Sequence, residues 1–367
     1  MSDLSSVSRL NTASSQLPVE WYFDPRVYEL EKRLFFEHGP GYVGHELMVP
    51  NVGDYQALGW LGNAKALVRS EYGVELLSNI CRHRQAIMLE GRGTTRNIVC
   101  PLHRWTYALD GRLIGAPQFP QNPCLDLANA RLTAWNGLQF CGPRVAARDL
   151  GELGVAQELD FSGFVFDRVE VDEYACNWKT FIEVYLEDYH VEPFHPGLGN
   201  FVDVRDLKWE FGDWYSVQTC GVKRGLARPG SAVYQRWHEQ VLRYAEGANP
   251  THGAIWLTYF PNVMIEWYPH SLVVSSLIPR GPEACTNVVE FYYPEDIALF
   301  EREFVEAEQA AYRETAIEDA EIIARMTAGR RALMQQGLNE SGPYQSPLED
   351  GMQHFHQFIR RELEPHL

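Results

Sequence analysis

No apolar run in the 367-residue chain approaches the roughly 20 residues of a membrane-spanning helix, and the opening MSDLSSVSRLNTASSQ has no apolar signal-peptide segment. The chain is therefore expected to be soluble and cytoplasmic. Basic charge is also scarce: 32 Lys and Arg stand against 49 Asp and Glu, a formal net charge of -17. Such a surface repels nucleic acid and anionic membranes, so neither is an expected partner. Cysteine is too sparse, and odd in number, for a disulfide framework: Cys81, Cys100, Cys124, Cys141, Cys176, Cys220 and Cys285. These read as reduced thiols, free to bind metal. Repeats and low-complexity segments are missing too. What is present is an ordinary globular composition, 45% hydrophobic, on a chain long enough for two domains.

The punctuation changes along the chain. After a polar tail that reads as mobile, PRVYELEKRLFFEHG places Val27, Leu30, Leu34 and Phe35 near helical spacing. From about 40 to 150, short β-like runs such as KALVRS, VELLSNI and RNIVC alternate with Gly and Pro turns. Residues 177 to 190 read as a helix with Asn177 as its N-cap. Longer β-like runs follow, AIWLTYFPNVMIEWYP, SLVVSSLIP and TNVVEFYYP, then a long helix over about 296 to 336 and a shorter one near 348 to 362. The order suggests a β module followed by an α+β domain.

Two mixed pairs, C-x-H and C-x2-H, stand sixteen residues apart: Cys81 with His83, and Cys100 with His103. Tetrahedral zinc accepts both residue types, but zinc modules usually pair Cys with Cys and His with His locally. One mixed pair on each of two loop tips suits a two-iron, two-sulfur cluster, with both thiolates on one iron and both imidazoles on the other. Neutral imidazoles raise the reduction potential above that of an all-cysteine cluster. The run CRH, sixteen residues, CPLH and then WTYALDGRL closely resembles the Rieske module of ring-hydroxylating and related Rieske non-heme iron oxygenases. The resemblance implies a 2Fe-2S cluster held by Cys81, His83, Cys100 and His103. The family usually has an aromatic residue at Leu102, a small one at Arg104 and a glycine at Gln85. The added Arg104 cation favours the reduced cluster and predicts a somewhat higher potential.

A second cluster lies in NWKTFIEVYLEDYHVEPFHPGL, where His190 and His195 follow Glu183, Glu187 and Asp188. On one helix Glu187 and His190 are i,i+3 neighbours, whereas Asp188 lies about 200° away. Glu187 is thus the carboxylate expected to bond His190. Pro193 and Pro196 are expected to break the helix and bring His195 back towards His190. Two histidines and a distant carboxylate make the facial triad of oxygen-activating non-heme iron. ETAIEDAEIIARM offers Glu318, Asp319 and Glu321. Asp319 shares a buried face with Ile322, Ile323 and Met326, while Glu318 falls with Glu321 and Arg325 on a polar one, so Asp319 is the expected ligand.

This segment is also similar to the Rieske oxygenase catalytic domain, in which N-W-K precedes a carboxylate, x-x-H and a second His five residues on. The resemblance covers about residues 20 to 360. It implies an α+β fold: an N-terminal tail and helix (1–39) packing on the catalytic domain, a small all-β Rieske domain (40–150), and a helix-grip catalytic domain (151–367) whose antiparallel sheet is flanked by helices. It also implies mononuclear Fe(II) on His190, His195 and Asp319. Glu187 takes the place of the inter-subunit electron-transfer bridge, as in the subgroup resembling carnitine, choline and glycine betaine monooxygenases. Val184 stands where the family often has Asn. The implied protein is a terminal oxygenase using O2, supplied with NAD(P)H electrons by a flavin and iron-sulfur reductase or a ferredoxin, and assembled as a homotrimer. Aromatics between 205 and 268 (Trp209, Trp214, Tyr215, Trp237, Trp256, Tyr259, Phe260, Trp267, Tyr268) read as sheet core, with a cage for a cation or a slot for a planar ring as the functional reading. The preferred substrate is a small compound, hydroxylated or demethylated, with a methylated or quaternary amine in view. Dihydroxylation of an aromatic ring is the alternative.

Overall fold

The computed structural model describes residues 16–226, 228–245 and 250–367. The polar tail over residues 1–15 lies outside them. The described residues form two compact units: Pro40–Arg148, and the described residues before Pro40 together with those from Asp149 to Leu367.

The unit Pro40–Arg148 is built from three small antiparallel sheets. Lys65–Ser70 and Gly73–Ser78 form a tight hairpin with Ser70 opposite Gly73. Cys81 and Cys100 belong to a buried cluster that also includes Leu77, Ile98, Trp105 and Tyr107. Each cysteine sits at the base of a hairpin tip. The Ile80–Ile87 bridge closes one and the Val99–Thr106 pair closes the other.

The larger unit carries a seven-stranded antiparallel sheet in the order Phe164–Tyr174, Ala284–Pro294, Ser271–Gly281, Val263–Tyr268, Ala254–Tyr259, Tyr215–Val222 and Val202–Gly212. Its central strands are almost wholly buried, which explains their continuous apolar runs. The helix Arg302–Gln335 packs against Ala232–Tyr244 and Trp178–Tyr185, and Asp350–Leu363 packs against Tyr215–Val222. Leu17, Trp21, Tyr22, Val27 and Phe35 share one core with Trp178, Phe260 and Phe358. No helix among the described residues is long and apolar enough to cross a membrane.

Several boundaries differ from the sequence reading. The helix opened by Asn177 stops at Tyr185, and Val191–Phe194 forms a separate turn of helix. Glu187 and His190 therefore meet in the connecting turn and not on a helix face. Pro193 does not break the helix: it lies within the first turn of the second piece, where its missing N–H leaves no intrahelical bond unmade. The expected long helix is divided at Glu301 into Glu295–Phe300 and Arg302–Gln335. Sequence reading named neither Phe164–Tyr174, an edge strand rich in Asp, Glu and Arg, nor the helix Ala232–Tyr244 capped by Ser231.

Candidate metal centres and substrate cavity

The two Cys/His loops of the smaller unit repeat one backbone pattern. Cys81 N–H donates to Ala86 O (2.9 Å) and its carbonyl accepts from Gln85 N–H (3.0 Å). Cys100 N–H donates to Trp105 O (2.8 Å) and its carbonyl accepts from Arg104 N–H (3.1 Å). The fourth residue after each cysteine is left-handed, Gln85 at φ 56° and Arg104 at φ 60°. These are the positions where the resemblance expects a small residue, and glycine takes that conformation without strain. Both cysteines are buried, and the His83 and His103 rings meet edge to face at 4.7 Å. His83 stacks on Trp105 at 4.9 Å, yet its buried Nδ1 has no hydrogen-bond partner among the described residues. Two buried thiols, two adjoining imidazoles and an unused ring nitrogen fit an iron-sulfur cluster.

In the larger unit, a single turn of helix separates the two candidate histidines: His190 caps the N-terminus of Val191–Phe194 and His195 its C-terminus. Asp319 approaches from the long helix. Its Oδ1 lies 3.0 Å from His195 Nε2 and 3.5 Å from His190 Nε2, and the three ligand atoms all fall within 4.8 Å of one another. Despite those distances, Asp319 Oδ1 makes no hydrogen bond of acceptable geometry among the described residues. The donors converge on a shared point, as they do around a metal ion.

The outer nitrogens also face carboxylates. His190 Nδ1 lies 2.6 Å from Glu187 Oε1 but outside hydrogen-bond geometry among the described residues, and the other Glu187 oxygen accepts the His190 backbone N–H at 3.0 Å. His195 Nδ1 is hydrogen-bonded to Glu318 Oε2 at 2.7 Å. A carboxylate–histidine bond of that kind fixes ring orientation and tautomer. Burial works against charge on His190, yet Asp319 and Glu187 push its imidazolium up to about 10. Burial likewise raises Asp319, but the two histidines outweigh it and hold the carboxyl below its usual range. A bound cation would take over the role of those protons.

Residues 159–364 match the family described as ring hydroxylating alpha subunit (catalytic domain), and residues 41–130 match the Rieske 2Fe-2S domain. The chain belongs to the Rieske-type ring-hydroxylating oxygenase alpha subunits. The oxygenase therefore uses a Rieske cluster, a mononuclear iron and dioxygen. It is 62% identical over 364 residues to putrescine 2-hydroxylase of Ralstonia nicotianae, covering 99% of this chain and 100% of that one. It is 25% identical over 372 residues to the carnitine monooxygenase oxygenase subunit of Escherichia coli K12, covering 94% and 92%. Its fold matches a quaternary ammonium Rieske monooxygenase bound to L-carnitine, with a TM-score of 0.70, 18% identity, and coverage of 95% and 96%.

A cavity opens beside His190, His195 and Asp319, lined among others by Tyr185, Trp237, Trp256, Tyr268 and Tyr312. Of the aromatics singled out between 205 and 268, Trp237, Trp256 and Tyr268 line it from the apolar core that also holds Trp209, whereas Phe260 belongs to the other core. Three groups escaped sequence reading. Glu318, assigned to a polar face, turns to His195 from the same helix edge as Asp319. Glu266 and Glu308 are buried acids in the cavity wall; a single acid inside the apolar run VMIEWY was the visible signal for the first. Asp188 lies outside the group formed by His190, His195 and Asp319; it is buried, and burial, then the neighbouring Glu187, push its carboxyl up to about 8.

The Rieske loops give one prediction about potential. Tyr107 Oη lies 3.7 Å from Cys81 Sγ, and burial keeps that hydroxyl protonated, so it donates to a thiolate there. A hydrogen bond to sulfur and the nearby Arg104 cation both favour the reduced state. Tyr107→Phe and Arg104→Gly are each expected to lower the cluster potential by on the order of 50 mV in a spectroelectrochemical titration. Arg104→Gly also releases the left-handed strain, so its thermal midpoint should not fall. An unchanged or raised potential in either variant would remove that group from the tuning of the cluster.

Proposed function

We propose that the oxygenase hydroxylates an aliphatic C–H bond of a short diamine of the putrescine class. The observation that carries this reading is the pair of buried acids, Glu266 and Glu308, in an aromatic cavity that also borders His190, His195 and Asp319. The names of the 62% identical relative and of a second, 55% identical one from Bordetella bronchiseptica, both putrescine 2-hydroxylases, support it. An aromatic hydrocarbon would leave the two acids facing a neutral ring, and their burial would go uncompensated. A quaternary amine would satisfy charge but offers no N–H to a carboxylate.

In this reading the domains run 1–39, 40–150 and 151–367. Cys81, His83, Cys100 and His103 hold the cluster, His190, His195 and Asp319 hold the iron, and Glu187 is the bridge to a neighbouring subunit of a homotrimer. Iron held there supplies the site at which dioxygen is reduced. The chain's own residues bind the amine, exclude water through the aromatic wall and fix both imidazoles. One oxygen atom enters the C–H bond and the other leaves as water, consuming two electrons and two protons. NAD(P)H supplies the electrons through a reductase or ferredoxin, the usual partners of this family.

The test is turnover of the loaded oxygenase with a reductase, NAD(P)H and O2 on putrescine, choline, carnitine and a set of aromatic acids. Putrescine should yield a product heavier by one oxygen atom, with the label from 18O2. Oxidation confined to the aromatic acids or the quaternary amines would overturn the diamine reading.

A further inference from the structure

Among the buried acids of the cavity wall, Glu266 and Glu308 accept from hydroxyl donors and have no basic partner among the described residues, while Asp188 has there neither a hydroxyl donor nor a basic partner. Glu266 Oε1 accepts from Tyr312 Oη (3.0 Å) and Ser275 Oγ (3.3 Å), and Oε2 accepts from Tyr268 Oη (2.8 Å). Tyr268 in turn accepts from Trp256 Nε1 at 2.9 Å. Glu308 accepts from Ser271 Oγ at 3.4 Å and from the Tyr293 hydroxyl. Both side chains are almost fully buried, at 2% and 3% exposure, and among the described residues neither has a Lys or Arg within ion-pair distance. Buried carboxylates are normally paired with a cation or neutralised. Here the space beside them is a cavity faced with aromatic rings, an environment that favours a cationic ligand.

We propose that Glu266 and Glu308 are the counter-ions of the two ammonium groups of the substrate, and that this pair selects a diamine over a monoamine. The inference rests on the amine-hydroxylase reading above and adds the residues that decide which amine is accepted. The fold brings the two acids to one space: Tyr312, which donates to Glu266, lies about one turn of helix after Glu308. Glu308, Tyr312, Thr315 and Asp319 follow one stripe of that helix, and all four line the cavity. The acids and the iron ligand therefore border one continuous space.

The electrostatics point the same way. Burial pushes Glu266 up to about 7, against the hydroxyl donors that lower it. Burial pushes Glu308 up to about 8, with Tyr293, Ser271 and the more distant Arg168 opposing and Glu266 adding to the rise. Two bound ammonium groups would supply the missing countercharge and draw both acids back to the ionised form.

The test compares Glu266→Gln and Glu308→Gln in the loaded oxygenase, with 1,4-diaminobutane and 1-aminobutane as substrates. Each variant should raise the KM for the diamine by about 100-fold, with kcat changed far less. The ratio of kcat/KM for diamine over monoamine should fall by a similar factor, because the variant leaves one carboxylate fewer to be matched. Glu266→Asp should recover part of the loss. A purely structural role would depress both substrates alike, and that outcome, or an unchanged diamine KM in both Gln variants, overturns the counter-ion assignment while leaving the amine-hydroxylase reading in place. If the wild-type enzyme hydroxylates no amine at all, the earlier reading fails and this inference falls with it.

Discussion

Replacing Glu187 with Gln is expected to lower NAD(P)H-driven turnover by about 10- to 100-fold while iron, sulfide and the reduced-cluster EPR signal stay at wild-type levels. One Glu187 oxygen lies 2.6 Å from His190 Nδ1, and the other accepts the His190 backbone N–H. Gln keeps the shape but loses the charge and one acceptor, so the imidazole can stay in place while the negative charge beside its outer nitrogen is lost. In the proposed reading the same carboxylate is also the bridge from His190 to a neighbouring subunit's cluster. Single-turnover experiments on the pre-reduced enzyme separate the two effects. Cluster reoxidation should slow along with product formation if Glu187 is on the electron path. Turnover within threefold of wild type would remove it from both roles.

The second large effect concerns Glu183, three residues before Leu186 and the turn that carries Glu187 and His190. Glu183 is completely buried. It bonds Arg330 Nη2 at 2.6 Å, His356 Nε2 at 2.9 Å and the Tyr22 hydroxyl. It thereby ties together the N-terminal segment, the helix Trp178–Tyr185, the long helix and the C-terminal helix. Glu183→Ala should destabilise the larger unit by about 3–5 kcal/mol, because Arg330 is left as an uncompensated buried charge. A fall of about 10 °C in the thermal midpoint follows from that loss.

The pH dependence of the same group has a definite sign. Burial raises the Glu183 carboxyl, but Arg330, His356 and Tyr22 outweigh it and hold it at about 2, against an ordinary 4.5. A carboxyl depressed on folding contributes stability that is complete above the unfolded value and is lost as pH falls towards the folded one. Wild-type stability should therefore drop between about pH 4.5 and 2 by about 3 kcal/mol more than that of Glu183→Ala. Denaturant melts of the two proteins across that window measure it. Parallel pH profiles would show that the carboxylate is not ionised in the fold.

Local spacing carried most of what the sequence disclosed. Each Cys/His pair lies within one hairpin tip, and Asp319 was legible because its helix buries Ile323 below it. Glu318 was lost to the same logic. It lies about 100° round the helix from Asp319, a separation that marks the edge of a face and not its opposite side, so both carboxylates reach the histidine pair. The end of the first ligand helix at Tyr185 was not legible, because nothing between Leu186 and His190 is a Gly or Pro. Glu187 still met His190, since three residues of turn and three of helix bring side chains to similar separations. The edge strand Phe164–Tyr174 was hidden by charges such as Asp167, Arg168, Glu170 and Asp172, two of which are tied by long-helix arginines, Arg302 on Asp167 and Arg313 on Asp172. Glu266 and Glu308 depend on tertiary structure: the strand and the helix come together only in the fold, and no local pattern relates them.

The long helix works as a ruler. On one rigid rod it carries Asp319, the proposed iron ligand, Glu318 on His195, the tyrosine that donates to Glu266, and Glu308 itself. The distance from the oxidising centre to the sites that read charge is graduated in residues, about 1.5 Å each, and not left to loop conformation. Inserting one turn between Glu308 and Asp319 would move the far graduation by about 5.4 Å, nearly a substrate length. Which carbon faces the iron is on that account a property of helix pitch.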